Sequence, residues 1–361
     1  MFIELLSFAI ALIASIGFTP VARKLALRLG VIDHPGPRKI HLSPMPLMGG
    51  LAMYVAAVMT IIIFTYIIVA DYSARAQIIG ILTGSTLLVV VGIMDDRGIL
   101  HHQVKFLIAM PVAAIILLAS GIKVQFMTVF FTSPLSTLLD VFLTLFWVVG
   151  ITAAFSILDH MDGLCTGVTA MASFFFLACA VSNGQGLIGT LAAAMMGSSL
   201  GFLCWNFNPA KIFMGDGGAM FLGFMMATLG LKLRFPTLNP AISWMIPIVI
   251  LGVVILDTTL VTVSRVRRGL IPFASPGKDH IAHRLVKLGL SQRRAVLILY
   301  GLSILSGLLG LLITRLSLWQ TYTLVSIIIL GAILVIIVLE HVPYERQGVQ
   351  SVSDIPDSFV E

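Results

Sequence analysis

Charge is what this 361-residue chain has least of: Asp, Glu, Lys and Arg together make up 11% of it. A soluble domain carries about a quarter, so the shortage argues against a soluble enzyme and equally against a disordered chain. Cysteine is scarcer still. Cys165, Cys179 and Cys204 are odd in number, widely spaced and set in or beside apolar stretches. They suggest neither a disulfide frame nor a metal motif, and packing is their expected role. Strict apolar–polar alternation is missing, which argues against a transmembrane β-barrel. No cleavable signal peptide is evident: the first ten residues hold Glu4 and no Lys or Arg, and Arg23 and Lys24 follow the apolar run. No repeat of 20–50 residues, low-complexity segment or soluble domain shows.

What the chain has in abundance is apolar sequence, 58% of all residues, with a mean hydropathy of +1.06. The apolar runs are about 20 residues long, the length of a helix that crosses a bilayer. Eleven segments can be drawn, roughly Phe2–Ala22, Leu47–Val69, Gln77–Met94, Phe106–Ile122, Thr137–Leu158, Val168–Val181, Leu187–Trp205, Ala219–Leu233, Ile242–Ser264, Ala295–Thr314 and Leu318–Leu339. The sixth and eighth are short and should extend into their flanks. The expected architecture is an all-α polytopic membrane bundle of about eleven transmembrane helices. It divides into one integral membrane domain, residues 1–341, and a polar tail, residues 342–361.

The net charge of +6 would hint at nucleic acid in a soluble protein. Here the positive-inside rule explains it better. With the N-terminus outside, 17 of the 22 Lys and Arg fall in inner loops, and the C-terminus lies inside. Asp95, Asp96, Asp159, Asp162, Asp216 and Asp279 share that inner face, so the chemistry is expected on the cytoplasmic side of the cell membrane.

Those carboxylates form patterns. Asp95 and Asp96 close the third helix in GIMDDRGI, where they repel each other and meet the negative end of the helix dipole. They need a cation, either a metal or Lys105. Asp159 and Asp162 in SILDHMDGL are spaced i, i+3, which places them on one helical face, with Gly163 able to end the helix. Asp216 sits among three glycines in MGDGG, ahead of an apolar helix whose N–H groups favour a phosphate. Solvated loop charges are the plain reading of each pattern. A long basic inner loop follows the ninth helix. From Asp279 to Leu288 it reads as an interfacial amphipathic helix, with His280, His283 or Arg284, and Lys287 on its polar face. Asp257, inside the ninth helix, is costly there and functional by default; a structural bond to Thr258 or a neighbouring helix fits equally well. Carboxylates, histidines and cations on one membrane face suit Mg2+ and a diphosphate.

These motifs resemble the polyprenyl-phosphate N-acetylhexosamine-1-phosphate transferases, glycosyltransferase family 4. The likeness runs from about Arg23 to Tyr300 through DHPGPRKIHLSPMPLMGG, MDDRG, LDHMDGL, NPAKIFMGDGG and DHIAHRL. It is nearest the branch that moves N-acetylglucosamine-1-phosphate from UDP-GlcNAc to undecaprenyl phosphate. The resemblance implies that Asp95 and Asp96 engage the lipid phosphate, Lys105 contacts phosphate, and Asp159 and Asp162 serve the nucleotide and metal region. It also implies Asp216 as the Mg2+ ligand, with Mn2+ as a substitute, and His280 and His283 near the diphosphate; Arg284 of the basic loop and Lys211 ahead of MGDGG are further candidate substrate contacts. The family has Asn where Ala153 and Ser156 stand, so Ser156 is a poorer metal ligand than the amide it replaces. Gly277, Ala282 and Ala219 are other departures. The expected partners are a polyprenyl phosphate, a UDP-N-acetylhexosamine and the bilayer, with no nucleic acid; a homodimer is compatible. A homologue with impaired catalysis and a membrane transporter stay open as alternatives.

Overall fold

The computed structural model describes residues 1–35, 43–68, 72–100, 103–272 and 277–342. Arg38 and Lys39 of the first loop and the tail beyond residue 342, with Arg346, lie outside them. Lipid offers a backbone no hydrogen-bond partner, so apolar segments of this length must satisfy their own peptide groups as helices. In chain order the elements are α1 (Phe2–Leu29), β1 (Ile32–Asp33), β2 (Met45–Pro46), α2 (Gly49–Ile68) and α3 (Tyr72–Asp96). A π-helical turn, Lys105–Ala109, runs into α4 (Met110–Ala119), followed by α5 (Met127–Phe130), α6 (Pro134–Leu158), α7 (Leu164–Ser182) and α8 (Gly186–Asn206). Next come α9 (Asp216–Lys232), α10 (Pro240–Ser243), α11 (Met245–Ile250), α12 (Gly252–Arg267), α13 (Ile281–Lys287), α14 (Gln292–Ile313) and α15 (Leu318–Glu340). β1 and β2 pair antiparallel, Ile32 opposite Pro46.

Among the described residues each predicted apolar segment is mainly helical, the fourth running through the π turn into α4 and the ninth broken over α10, α11 and α12. Among the described residues, seven helices are long and apolar enough to cross a membrane. The pair Pro240–Ile250 and Gly252–Arg267, bent by 73° at the break, has the length and composition of a broken span or a re-entrant loop. Gly49–Thr65 and Lys105–Ala119 are shorter apolar helices. The chain is therefore an all-α polytopic membrane protein. The short sixth segment does grow into its flank, beginning at Leu164.

α9 is the axis of the bundle. Every residue from Gly217 to Leu231 is buried, which is why the helix is apolar all round rather than on one stripe. It packs against α3, α6, α2, α7 and α8. α15, by contrast, presents most of its surface outward.

Membrane helices gain little from hydrophobic burial and associate through close packing at small residues. The first turn of α9 does this twice. A Cβ on Gly92 of α3 would lie 2.2 Å from the Gly217 Cα, and one on Gly50 of α2 would lie 2.2 Å from the Gly218 Cα. Only backbone faces backbone there, and no side chain can swing aside. This contact brings the C-terminal end of α3 onto the N-terminal end of α9.

Gly92→Ala should therefore force α3 and α9 apart. The expected cost is about 1–3 kcal/mol of overpacking, read as a lower melting temperature in detergent. Gly331→Ala, on α15, opens onto empty space and should leave the melting temperature unchanged. Equal melting of the two variants would contradict this reading of the α3–α9 contact.

Candidate active site

Four helix ends converge at one end of the bundle; three bring carboxylates and the fourth brings Lys105. Asp95 and Asp96 end α3. Lys105 lies in the π turn that opens the next helical stretch, a local widening common at functional sites. Its ammonium donates to Asp95 Oδ2 at 2.8 Å and to Asp216 Oδ2 at 2.5 Å. Asp216 is the first residue of α9, and its N–H donates to Asp96 Oδ1 at 3.0 Å. The other oxygen, Asp96 Oδ2, is buried with no hydrogen-bond partner among the described residues. A Cβ on Gly215 would sit 2.4 Å from it, so only glycine leaves space there.

Asp159 joins this group from α6. The i, i+3 spacing predicted that Asp159 and Asp162 share a helical face. Instead α6 stops at Leu158 with Asp159 as its C-cap, and both residues lie in the turn before α7. The His160 N–H bonds back to the Leu158 carbonyl. Gly163 does not end α6 but begins α7, with φ at +76°. Burial, and then the charges of Asp216, Asp96 and Asp162, push the Asp159 carboxyl up to about 8. Asp162 Oδ2 accepts from Asn208 Nδ2 at 3.0 Å and from the Ala210 N–H at 3.1 Å. The Ser156 hydroxyl, one turn before Asp159, donates to the Thr152 carbonyl at 3.2 Å.

The histidines form an adjoining group. His160 stacks on His280 with ring centroids 3.8 Å apart, and lies 4.7 Å from the His283 ring. Burial holds His160 well below the usual imidazole range, and the charges of His280 and His283 add to it. Burial likewise brings His283 down to about 4, helped by His280. Both are neutral at pH 7. Asp257, fully buried in α12, makes no bond to Thr258. Its Oδ2 pairs with His280 Nδ1 at 2.8 Å, and its Oδ1 accepts the Ile281 N–H at 2.8 Å. A membrane carboxylate thereby pins the start of α13.

Two expectations for the basic loop are corrected. The helix is shorter, Ile281–Lys287, and His280, His283 and Arg284 of the expected polar face are buried, while Lys287 of that face and Leu288 of the apolar face are exposed. Arg284 is not placed to contact substrate. Its Nε donates to the Asp279 carbonyl, Nη1 to the Leu339 carbonyl, and Nη2 to Ser264 and Glu340. A fully desolvated guanidinium needs such pairing, and it clamps α13 to the end of α15. Asp279 makes a second clamp, with Arg265 at 2.9 Å and Arg268 at 2.6 Å. The Lys211 ammonium packs over the Trp205 ring, 5.4 Å from its centroid.

Two residues that matter here had escaped notice. Asn206 is buried; its Oδ1 accepts the Gly163 N–H at 3.0 Å and its Nδ2 donates to the Ile212 carbonyl at 3.0 Å. Asn208 joins Asp162 to Gln292. Together they tie the Asp159–Asp162 turn to the loop carrying Asp216. Their signal was an Asn-Phe-Asn-Pro run at the end of an apolar helix.

The model of glycosyl transferase family 4 matches residues 78–234. A probable undecaprenyl-phosphate N-acetylglucosaminyl 1-phosphate transferase of Bacillus subtilis (strain 168) is 34% identical over 326 residues, 90% of this chain and 88% of the relative. The chain belongs to glycosyl transferase family 4. Other relatives in the family are a decaprenyl-phosphate N-acetylglucosaminephosphotransferase of Mycolicibacterium smegmatis, 31% identical over 77% of this chain and 74% of its own length, and an undecaprenyl-phosphate alpha-N-acetylglucosaminyl 1-phosphate transferase of Escherichia coli (strain K12), 28% identical over 81% and 78%. The family match begins inside α3 and ends just after α9, so it includes the Asp95–Lys105–Asp216 group and the Asp159–Asp162 turn.

The Asp279 clamp gives a prediction with a pH sign. The hydrogen bonds and charges of Arg265 and Arg268 outweigh burial and bring the Asp279 carboxyl down to about 2, below its ordinary 3.8. Its stabilisation is thus complete above about pH 4 and lost as pH falls through about 2. At pH 7, Asp279→Asn should leave Arg265 buried without its partner and cost roughly 3–5 kcal/mol, read by thermal melting in detergent. A variant as stable as the parent would contradict the clamp.

Proposed function

We propose that the protein transfers N-acetylglucosamine-1-phosphate from UDP-GlcNAc to a membrane polyprenyl phosphate such as undecaprenyl phosphate, releasing UMP. The observation that carries this reading is the convergence of Asp95, Asp96, Asp159 and Asp216 around Lys105 in a chain whose relatives bear that activity in their names. In the reaction an oxygen of the lipid phosphate forms a bond to the β-phosphorus of the donor, and the bond from that phosphorus to the bridging oxygen breaks. Such chemistry asks of a protein mainly positioning and charge neutralisation.

The residues fit a divalent cation. The carboxylates outnumber the lysine that bridges them, Asp159 holds its proton against the charge of its neighbours, and Asp96 keeps a buried oxygen unpartnered among the described residues. Asp216 would hold Mg2+, or Mn2+ in its place, with the Ser156 hydroxyl as a weaker contributor. The ion, when bound, supplies positive charge against the diphosphate. Lys105 adds a mobile positive charge and is free to exchange a carboxylate for a phosphate oxygen. Asp95 and Asp96 receive the lipid phosphate, and Asp162 orients the turn beneath the nucleotide. His280 and His283, joined to that turn through His160, offer hydrogen bonds to the diphosphate.

The same reading sets the protein in the membrane. α2, the Lys105–Ala119 stretch and α9 complete the seven long helices and the bent pair as eleven spans. The N-terminus then lies outside, and the convergent helix ends lie on the cytoplasmic face of the cell membrane, where a nucleotide sugar is available. The product would begin a cell-envelope glycan.

Detergent-solubilised protein with labelled UDP-GlcNAc, undecaprenyl phosphate and Mg2+ should move label into the organic phase. Asp216→Asn should lower the rate roughly a hundredfold or more, and EDTA should stop it. An absence of lipid-linked label with every UDP-N-acetylhexosamine tried would contradict the proposal.

A further inference from the structure

His160 is placed at a cost. Both its ring nitrogens are buried, and neither has a hydrogen-bond partner among the described residues. An imidazole always has a donor or a lone pair to satisfy on each nitrogen, and leaving one unmet inside a protein costs about 1–3 kcal/mol. Such a group calls for a water or an ion that completes it. The surroundings indicate which. His160, Asp257 and His280 each offer a ligand atom, and these atoms lie within 4.8 Å of one another. His160 Nε2 is 4.0 Å from Asp257 Oδ2, and His280 Nδ1 is 2.8 Å from the same oxygen. Around a tetrahedral zinc ion with bonds of about 2.0–2.1 Å, neighbouring ligand atoms stand about 3.4 Å apart. Of the two separations to Asp257, the longer would close and the shorter open by about half an ångström; the third, between His160 and His280, lies within 4.8 Å and closes toward the same value.

We propose that His160, Asp257 and His280 form a buried site for a divalent transition-metal ion of the Zn2+ class, separate from the carboxylate group around Asp216. Two imidazoles and one carboxylate suit such an ion, whereas Mg2+ prefers oxygen alone. The three ligands come from the α6–α7 turn, the middle of α12 and the loop before α13. A metal there staples three distant segments beside the reaction centre and satisfies one of the two His160 nitrogens. It replaces the proton shared by Asp257 and His280, and leaves the second His280 nitrogen for the diphosphate. The site rests on this chain's own geometry and stands whether or not the transfer activity is found.

The test uses purified full-length protein without a polyhistidine tag, in saturating Mg2+, titrated with Zn2+. One equivalent should bind, and the melting temperature should rise. Co2+ in its place should show the intense visible bands of a tetrahedral ion. His160→Gln should abolish the binding, the bands and the thermal shift. Asp216→Asn should keep all three, because it removes only the carboxylate site. Should His160→Gln melt early without metal, His160→Asn read by Co2+ absorption gives the same comparison. No Zn2+ binding in the parent protein, binding unchanged in both His160 variants, or binding lost in Asp216→Asn alone would each overturn the proposal.

Discussion

The arrangement depends on the Lys105 ammonium, held between Asp95 and Asp216. Carboxylates at the negative end of α3 repel one another, and bringing Asp216 to them adds another like charge. Lys105 offsets part of this and so joins the end of α3, the start of the next helical stretch and the start of α9. The close glycine contacts Gly92–Gly217 and Gly50–Gly218 make the approach sterically possible. Packing and charge thus act on the same few residues: the glycines let the helix ends meet, and the lysine keeps them together. The negative charge left over is the chemical character of the site.

Around that centre a second set of charges has a different task. Arg284 with Glu340, and Asp279 with Arg265 and Arg268, are saturated pairs that spare nothing for a ligand. They fasten α13 to α12 and α15, and Asp257 fastens the start of α13 from within the membrane. The contrast separates structural ions from reactive ones. In the structural groups every carboxylate is met by guanidinium, while in the group around Asp216 the carboxylates outnumber the one lysine. His160 lies between the two sets, at the edge of the carboxylate turn and stacked on His280.

Much of the fold was legible because a bilayer leaves a chain few choices. Long apolar runs must be helices, so all eleven segments proved mainly helical without any reading of periodicity. Detail beyond that depended on local chemistry. α1 continues to Leu29, since nothing in the basic stretch after Ala22 breaks a helix until Gly30. The ninth segment bends at Leu251–Gly252, where no proline announces it. At the site, Asp95 and Asp96 could be placed because the helix dipole makes their position costly. The turn at Asp159 could not, because the helix stops at Leu158, four residues short of Asp162, with no breaker before Gly163 to announce it. Arg284 was misread for a deeper reason. Its partners Leu339 and Glu340 lie more than 50 residues on, and a cation in an amphipathic pattern looks exposed until its counter-charge is found.

The central claim is that the charge left over at the convergent helix ends is where a divalent cation and the donor diphosphate bind. Anomalous X-ray scattering from crystals of the protein grown with Mn2+ and UDP-GlcNAc tests it by position. The expected result is a manganese peak beside the Asp216 carboxylate, within bonding reach of the donor's phosphate oxygens. A peak confined to the histidine group, or a diphosphate bound away from Asp216 and Lys105, would contradict it.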